Sequence, residues 1–283
     1  MATSRMQYSI ASALLVIGAF LTGCSTASKP PQPGTPAFYW AAAREMYRAG
    51  DYVKTNDNLA QLTRSENDFT ARARVWQVVI SAGVAQAHME LADTYETGAR
   101  ANRNNPAPFR RETNVQRNAA STAALQFAEA FHNLQHSVKD ETIALEFDFP
   151  RGNAAMPPEL KKVTSGIVLP PAELALVAKA MVQRGVLLST CRAVGAPEDP
   201  AKALELFKAG NPQVRTDAFR IHMASQLYDA AQLFAPTKLD QPQRTKMLLK
   251  EAMETTQSVP ADKRTKELTG KIQGLLKKQK LTL

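Results

Sequence analysis

The sequence predicts an all-α protein of antiparallel helical pairs, interrupted near its middle by one non-helical crossover. From residue 37 onward apolar side chains return every three or four positions, the period of a helix with one buried face. Short clusters of Gly, Pro, Asn and Asp break that pattern at intervals, so the helices reverse rather than run on. Between 142 and 171 the pattern fails: Pro150, Gly152, Pro157, Pro158, Gly166, Pro170 and Pro171 rule out a long helix.

Residues 1–9 are polar and carry one charged side chain, Arg5, and residues 10–21 (IASALLVIGAFL) form an apolar run. A helix of that run would be about 18 Å long, short of a hydrocarbon core of about 30 Å. A basic start, a short apolar core and then small residues is the pattern of a targeting signal. The next four residues, Leu21-Thr22-Gly23-Cys24, resemble the lipobox of bacterial lipoproteins. That resemblance implies cleavage before Cys24, a signal peptide over 1–23 and diacylglycerol on the Cys24 thiol, so that membrane lipid is the first partner. Several acyl chains hold far more firmly than one. Ser25 in place of Asp resembles lipoproteins sent to the outer membrane, which implies a periplasm-facing protein.

Residues 24–36 then read as the lipidated Cys and a tether with four prolines, able to reach up to roughly 35 Å when extended. Removing 1–23 leaves 260 residues, enough for one large domain or two modest ones. With Cys24 lipidated, Cys191 is the only remaining thiol, so no internal disulfide is expected, and its setting in VLLSTCRAV suits a buried, inert cysteine.

An N-terminal helical region spans 37–141. Ala37–Ala49 and Asp51–Thr63 form a helical pair around Gly50. Glu66–Ala101 follows as one long helix, its stripe made by Phe69, Ala73, Trp76, Ile80, Gly83, Ala87, Leu91 and Tyr95. A second long helix runs from Arg111 to His136, with Ala124, Phe127, Phe131 and Leu134 inward. The crossover 142–171 opens with IALEFDF, whose alternation suits an extended strand, and it should pack Phe147, Phe149, Ile167 and Leu169 on the body. Its length is unusual for a connection, which marks a functional insertion or a domain boundary. A C-terminal helical region, 172–283, holds Ala172–Val194, Pro200–Ala209, Val214–Phe234, Gln241–Gln257 and Ala261–Lys278.

Residues 36–67 resemble a tetratricopeptide repeat: Ala43 at a small crossing position, Gly50-Asp51-Tyr52 at the turn, and Leu59 between the helices. Thr55, Leu62 and Asn67 depart from the pattern, and the period is not sustained along the chain. The resemblance implies an irregular tetratricopeptide-like solenoid that works by contact, with Tyr39, Arg44, Tyr47, Arg48 and Asn56 as outward contact residues for a protein or peptide. A nonrepetitive helical domain would carry the same turn by coincidence, and the sequence leaves both open.

Catalytic signatures are missing. There is no G-x-S-x-G, H-E-x-x-H, phosphate-cradling loop or dinucleotide fingerprint. Glu129, His132 and His136 would need a second such pair to resemble a carboxylate-bundle metal site, and their angular position puts them away from Phe127, facing solvent. No metal or cofactor is expected. Glu45, Asp51, Glu90, Asp93, Glu112 and Glu129 are candidate carboxylates for glycan chemistry, but spacing selects no pair.

The formal charge of +9 concentrates at the end of the chain: residues 261–283 carry seven basic and two acidic side chains. Leu268, Ile272 and Leu275 give the last helix an apolar side, while Lys277, Lys278 and Lys280 are candidates for contact with an anionic surface. The leading expectation is a membrane-tethered protein-interaction or assembly module of the cell envelope. A structural lipoprotein touching acidic wall polymer is the runner-up, ahead of an enzyme acting on envelope glycan. Nucleic acid is not an expected partner of a protein exported across the inner membrane.

Overall fold

The computed structural model describes residues 31–197 and 199–283. The signal, Leu21, Thr22, Gly23 and Cys24 lie outside the described residues. The described chain is all-α, with ten helices and one two-stranded ladder.

The first pair is α1 (Pro36–Arg48) and α2 (Tyr52–Leu62). Thr35 caps α1 by accepting from the Phe38 N–H, and Asp51 caps α2 by accepting from the Lys54 N–H. Gly50, at φ +69°, makes the reversal between them. The long antiparallel hairpin is α3 (Thr70–Ala101) and α4 (Ala107–Ser137). Helix α3 starts four residues later than Glu66, where the sequence placed its beginning. Asn67 folds the preceding turn, accepting from the Phe69 N–H while its amide donates to the carbonyls of Leu62 and Ser65. Helix α4 starts four residues earlier, because Pro108 occupies the first turn, where a helix has no N–H bond to lose.

At about 1.5 Å per residue α3 is about 48 Å long. From Val75 to Ala85 every residue is buried, so the single stripe of the sequence widens to the whole circumference. The reason is its neighbours: α4 lies along one side, the first pair along another, and α6 (Pro171–Ala193) crosses a third. At that crossing Gly83 meets Gly185; a Cβ on Gly185 would lie 2.2 Å from the Gly83 carbonyl oxygen. Among the described residues α6 is the one helix long and apolar enough to span a membrane, and half of that apolar window is buried in the body.

The crossover is structured. Strand β1 (Thr142–Ala144) pairs antiparallel with β2 (Gln213–Arg215), Ile143 opposite Val214. The expected alternation holds: Ile143, Leu145 and Phe147 are buried, Glu146 and Asp148 exposed. A short helix, α5 (Leu160–Thr164), seats Leu160 and Val163 in the core. Leu169 is buried and Phe149 partly so, but Ile167 is not packed inward: it is 55 % exposed, because Gly166 at φ +84° turns the chain outward there.

Helix α7 (Pro200–Lys208) leads to β2 and then to α8 (Thr216–Ala231), which runs on into a 3-10 turn, Gln232–Phe234. The closing pair is α9 (Pro242–Ser258) and α10 (Lys263–Gln279). Arg220 of α8 donates to the carbonyls of Gln135 and Val138, supplying partners for the open end of α4. Residues 32–283 form one compact unit. Its aromatic centre joins α1, α3 and the crossover: Trp76 lies within 5.2 Å, centroid to centroid, of Trp40, Tyr47 and Phe147.

Candidate functional site

The tip of the α3–α4 hairpin is shaped by a close approach. A Cβ on Gly98 would sit 2.5 Å from the Val163 carbonyl oxygen and 2.6 Å from the Phe109 ring, so only glycine lets α5 and α4 close on α3 together. Asn102 fixes the next turn by donating to the Gly166 carbonyl at 3.0 Å. The chain then leaves Gly166 with Ile167 and Val168 outward and Leu169 inward, and Pro170-Pro171 starts α6.

The result is an apolar cleft of about 530 Å³, walled by Tyr95, Phe109, Val168, Leu169 and Leu174, with Arg111 and Glu112 at its edge. That volume lies in the ordinary range of ligand-sized sites, about 300–1,000 Å³. Of the wall residues Val168 is 50 % exposed, and its neighbour in the chain, Ile167, is 55 % exposed. Tyr95 itself is buried, and its hydroxyl has no hydrogen-bond partner among the described residues. Burial, reinforced by the Glu112 carboxylate, pushes the Tyr95 phenol up to about 12, so it remains a neutral donor near pH 7. The cleft can therefore enclose apolar groups.

The contact residues expected on the first pair do not share a surface. Arg44 and Arg48 are exposed, and Arg48 lies 3.8 Å from Asp148. Tyr39 is partly buried against the core. Tyr47 and Asn56 point inward, contrary to expectation. Ala43 and Tyr47, one turn apart, form the inner face of α1, and Arg44 and Arg48, each one residue later, form its outer face. The Tyr47 hydroxyl donates to the Asp148 carbonyl and the Asn56 amide to Gln126 Oε1. Lys277, Lys278 and Lys280 are exposed, while Leu268, Ile272 and Leu276 are buried under α10.

Glu129, His132 and His136 are all exposed; His132 contacts Glu251 at 3.1 Å and packs edge-on to His136. Among the described residues no group of three His, Cys, Asp or Glu side chains converges as a metal site. Several candidate carboxylates have structural partners instead: Asp51 caps α2, Glu90 pairs with Arg184, and Asp93 pairs with Lys238. Cys191 is buried, and burial pushes its thiol up to about 11, which leaves it protonated and unreactive.

Sequence reasoning missed the cleft because its walls come from three separated segments, and only the exposed apolar pair Ile167-Val168, set between Gly166 and two prolines, hinted at it. No protein-family model matches the chain, and neither a curated protein nor a solved structure does.

Proposed function

We propose that this protein is a lipid-tethered interaction module of the bacterial cell envelope whose apolar cleft binds an apolar segment of another envelope protein. The observation that carries this reading is the cleft together with its uncovered border, Ile167 and Val168. Apolar side chains clustered on a surface mark contact sites more often than isolated ones do. Arg103 on the adjoining turn and Arg111 at the edge of the cleft favour a segment flanked by acidic residues, because complementary charge guides encounter and fixes orientation. The lipobox-like Leu21-Thr22-Gly23-Cys24 supplies the tether in this reading, and Ser25 the outer-membrane address. The tetratricopeptide-like first pair, α1 and α2, is then scaffold rather than contact surface.

Position is consistent with that division. Trp40 of α1 stacks on Phe69 at the start of α3, and the cleft lies at the other end of that helix.

A second reading, contact with acidic wall polymer, is favoured by the exposed Lys277, Lys278 and Lys280. One experiment separates the two. The lipidated full chain, its V168D variant, and a variant with all three lysines changed to Gln are crosslinked in intact envelopes. A stoichiometric protein adduct lost in V168D, and kept in the lysine variant, supports the cleft. Recovery of wall polymer alone, lost only in the lysine variant, supports the second reading and ends the first.

A further inference from the structure

The opposite face of the same hairpin carries a second hollow of about 360 Å³. Arg110, Thr113, Asn114 and Arg117 line it from α4 at spacings of three, four and seven, which is one helical face. Glu96 and Arg100 face them from α3. Three guanidinium groups thus surround the space with one carboxylate.

That carboxylate is already shared. Arg117 Nη2 lies 2.7 Å from Glu96 Oε2, and Arg100 Nη2 lies 3.6 Å from Glu96 Oε1. Arg110 has no carboxylate within 4.0 Å among the described residues. The next acid on α3, Asp93, is held by Lys238 at 2.7 Å, and Glu112 lines the apolar cleft on the other face. Local charge in the hollow is therefore two units positive. The Arg117 side chain is only 11 % exposed, and its Nε is buried with no partner. Burial of that side chain holds its guanidinium in place across the hollow, with its positive charge beside the space.

We infer that this hollow binds a phosphate-class oxyanion, either free phosphate or the phosphate of an anionic lipid headgroup. Guanidinium forks match phosphate oxygens in pairs, and three forks approaching from two helices suit a tetrahedral anion better than a flat carboxylate. Glu96 holds Arg117 and Arg100 across the hollow and also competes with the ligand for them. The site is separate from the apolar cleft and its failure leaves the cleft reading untouched.

The test uses the full chain in detergent at low ionic strength. Inorganic phosphate is titrated by calorimetry against matched chloride, and short-chain phosphatidylglycerol and phosphatidylcholine, each dispersed in the same detergent, are then titrated in the same way. Arg110 is exposed and outside any ion pair, so R110Q should keep the helical signal while weakening binding about tenfold, the scale of one charge-assisted hydrogen bond. E96Q should tighten binding, an outcome that a purely structural ion pair does not produce. V168D, in the apolar cleft, should leave it unchanged. Saturable phosphate binding with this pattern assigns free phosphate. Binding to phosphatidylglycerol alone with the same pattern assigns the headgroup. Absence of binding in both arms, or binding that R110Q and R100Q leave intact, overturns the inference.

Discussion

The hydroxyl of Tyr47 donates a 2.6 Å hydrogen bond to the backbone carbonyl of Asp148, joining the first helix to the crossover 101 residues further on. Tyr52 makes a parallel bond to the Arg151 carbonyl at 3.0 Å. Both rings are buried, so each tyrosine combines aromatic packing with a polar handle that the crossover satisfies. Tyr47→Phe keeps the packing and loses one hydrogen bond, and should lower stability by about 1 kcal/mol. Tyr47→Ala removes the ring from beside Trp76 and should cost about 3–5 kcal/mol. Urea denaturation of both variants checks the pair; equal losses would show that the ring contributes nothing beyond its hydroxyl.

Glycines on helices should divide into two classes. Gly83 and Gly185 sit where a Cβ would strike backbone, 2.5 Å from Val186 Cα and 2.2 Å from the Gly83 oxygen respectively. Gly270 and Gly274 on α10 have nothing within 4 Å of an added Cβ. Alanine at Gly185 forces α3 and α6 apart, a strain of about 1–3 kcal/mol. At Gly270 it gains helix propensity, up to about 1 kcal/mol. Thermal midpoints should therefore fall for G185A and rise for G270A. The reverse order would remove the close crossing from the account of stability.

His88 gives stability a pH dependence of known sign. Burial lowers its pKa below 6.5, against the opposing contact of Nδ1 with Gln116 Oε1 at 2.7 Å. The folded state then binds its proton less readily than the unfolded chain, so this contribution is complete above the unfolded pKa and lost as pH falls from about 6.5 through the depressed folded value. His222 is lowered too, by burial first and the Arg264 charge second, and adds in the same direction. Between pH 7.5 and 5 the denaturation midpoint of the unaltered chain should drop more than that of His88→Gln. Parallel curves would remove His88 from the pH response.

The closing helix is expected to be separable from its lysines. Leu268, Ile272 and Leu276 are buried under α10, whereas Lys277, Lys278 and Lys280 are exposed. Lys280 also adopts a left-handed conformation, φ +56°, at the end of the helix, a position glycine fills more easily. Changing Lys277 and Lys278 to Gln and Lys280 to Gly should leave helicity intact and stability equal or slightly higher. Loss of folding, seen by circular dichroism, would mean that the lysines hold the helix rather than decorate it.

The all-α class and nearly every helix were legible in the sequence because a buried helical face leaves a three-to-four period and prolines mark first turns. Residues such as Trp76, Phe127 and Phe131 could be assigned to the core on that basis. Side-chain direction on α1 was harder. Tyr47 looks amphipathic and turn-proximal in sequence, and only a crossover from residues 147–151 lying over it makes the inward direction favourable. The start of α4 was misplaced because proline reads as a breaker until its position within the first turn is known. The cleft needed Tyr95, Phe109 and Leu169 brought together by the Gly98 approach, a long-range contact that no local period encodes.

The meeting of Gly83 and Gly185 also bears on how the chain acquires its shape. In a regular solenoid each unit is completed by its immediate neighbour, and order can spread from either end as the chain lengthens. Here the central stretch of α3, buried from Val75 to Ala85, is not enclosed until a helix about a hundred residues later reaches it. Contacts at such separation slow folding, since the intervening loop must close before they repay its lost entropy. A chain made from its N-terminus therefore spends the interval between residues 85 and 185 with one apolar side of α3 uncovered. That interval, rather than the finished fold, is when a chaperone has something to hold and when aggregation competes most strongly.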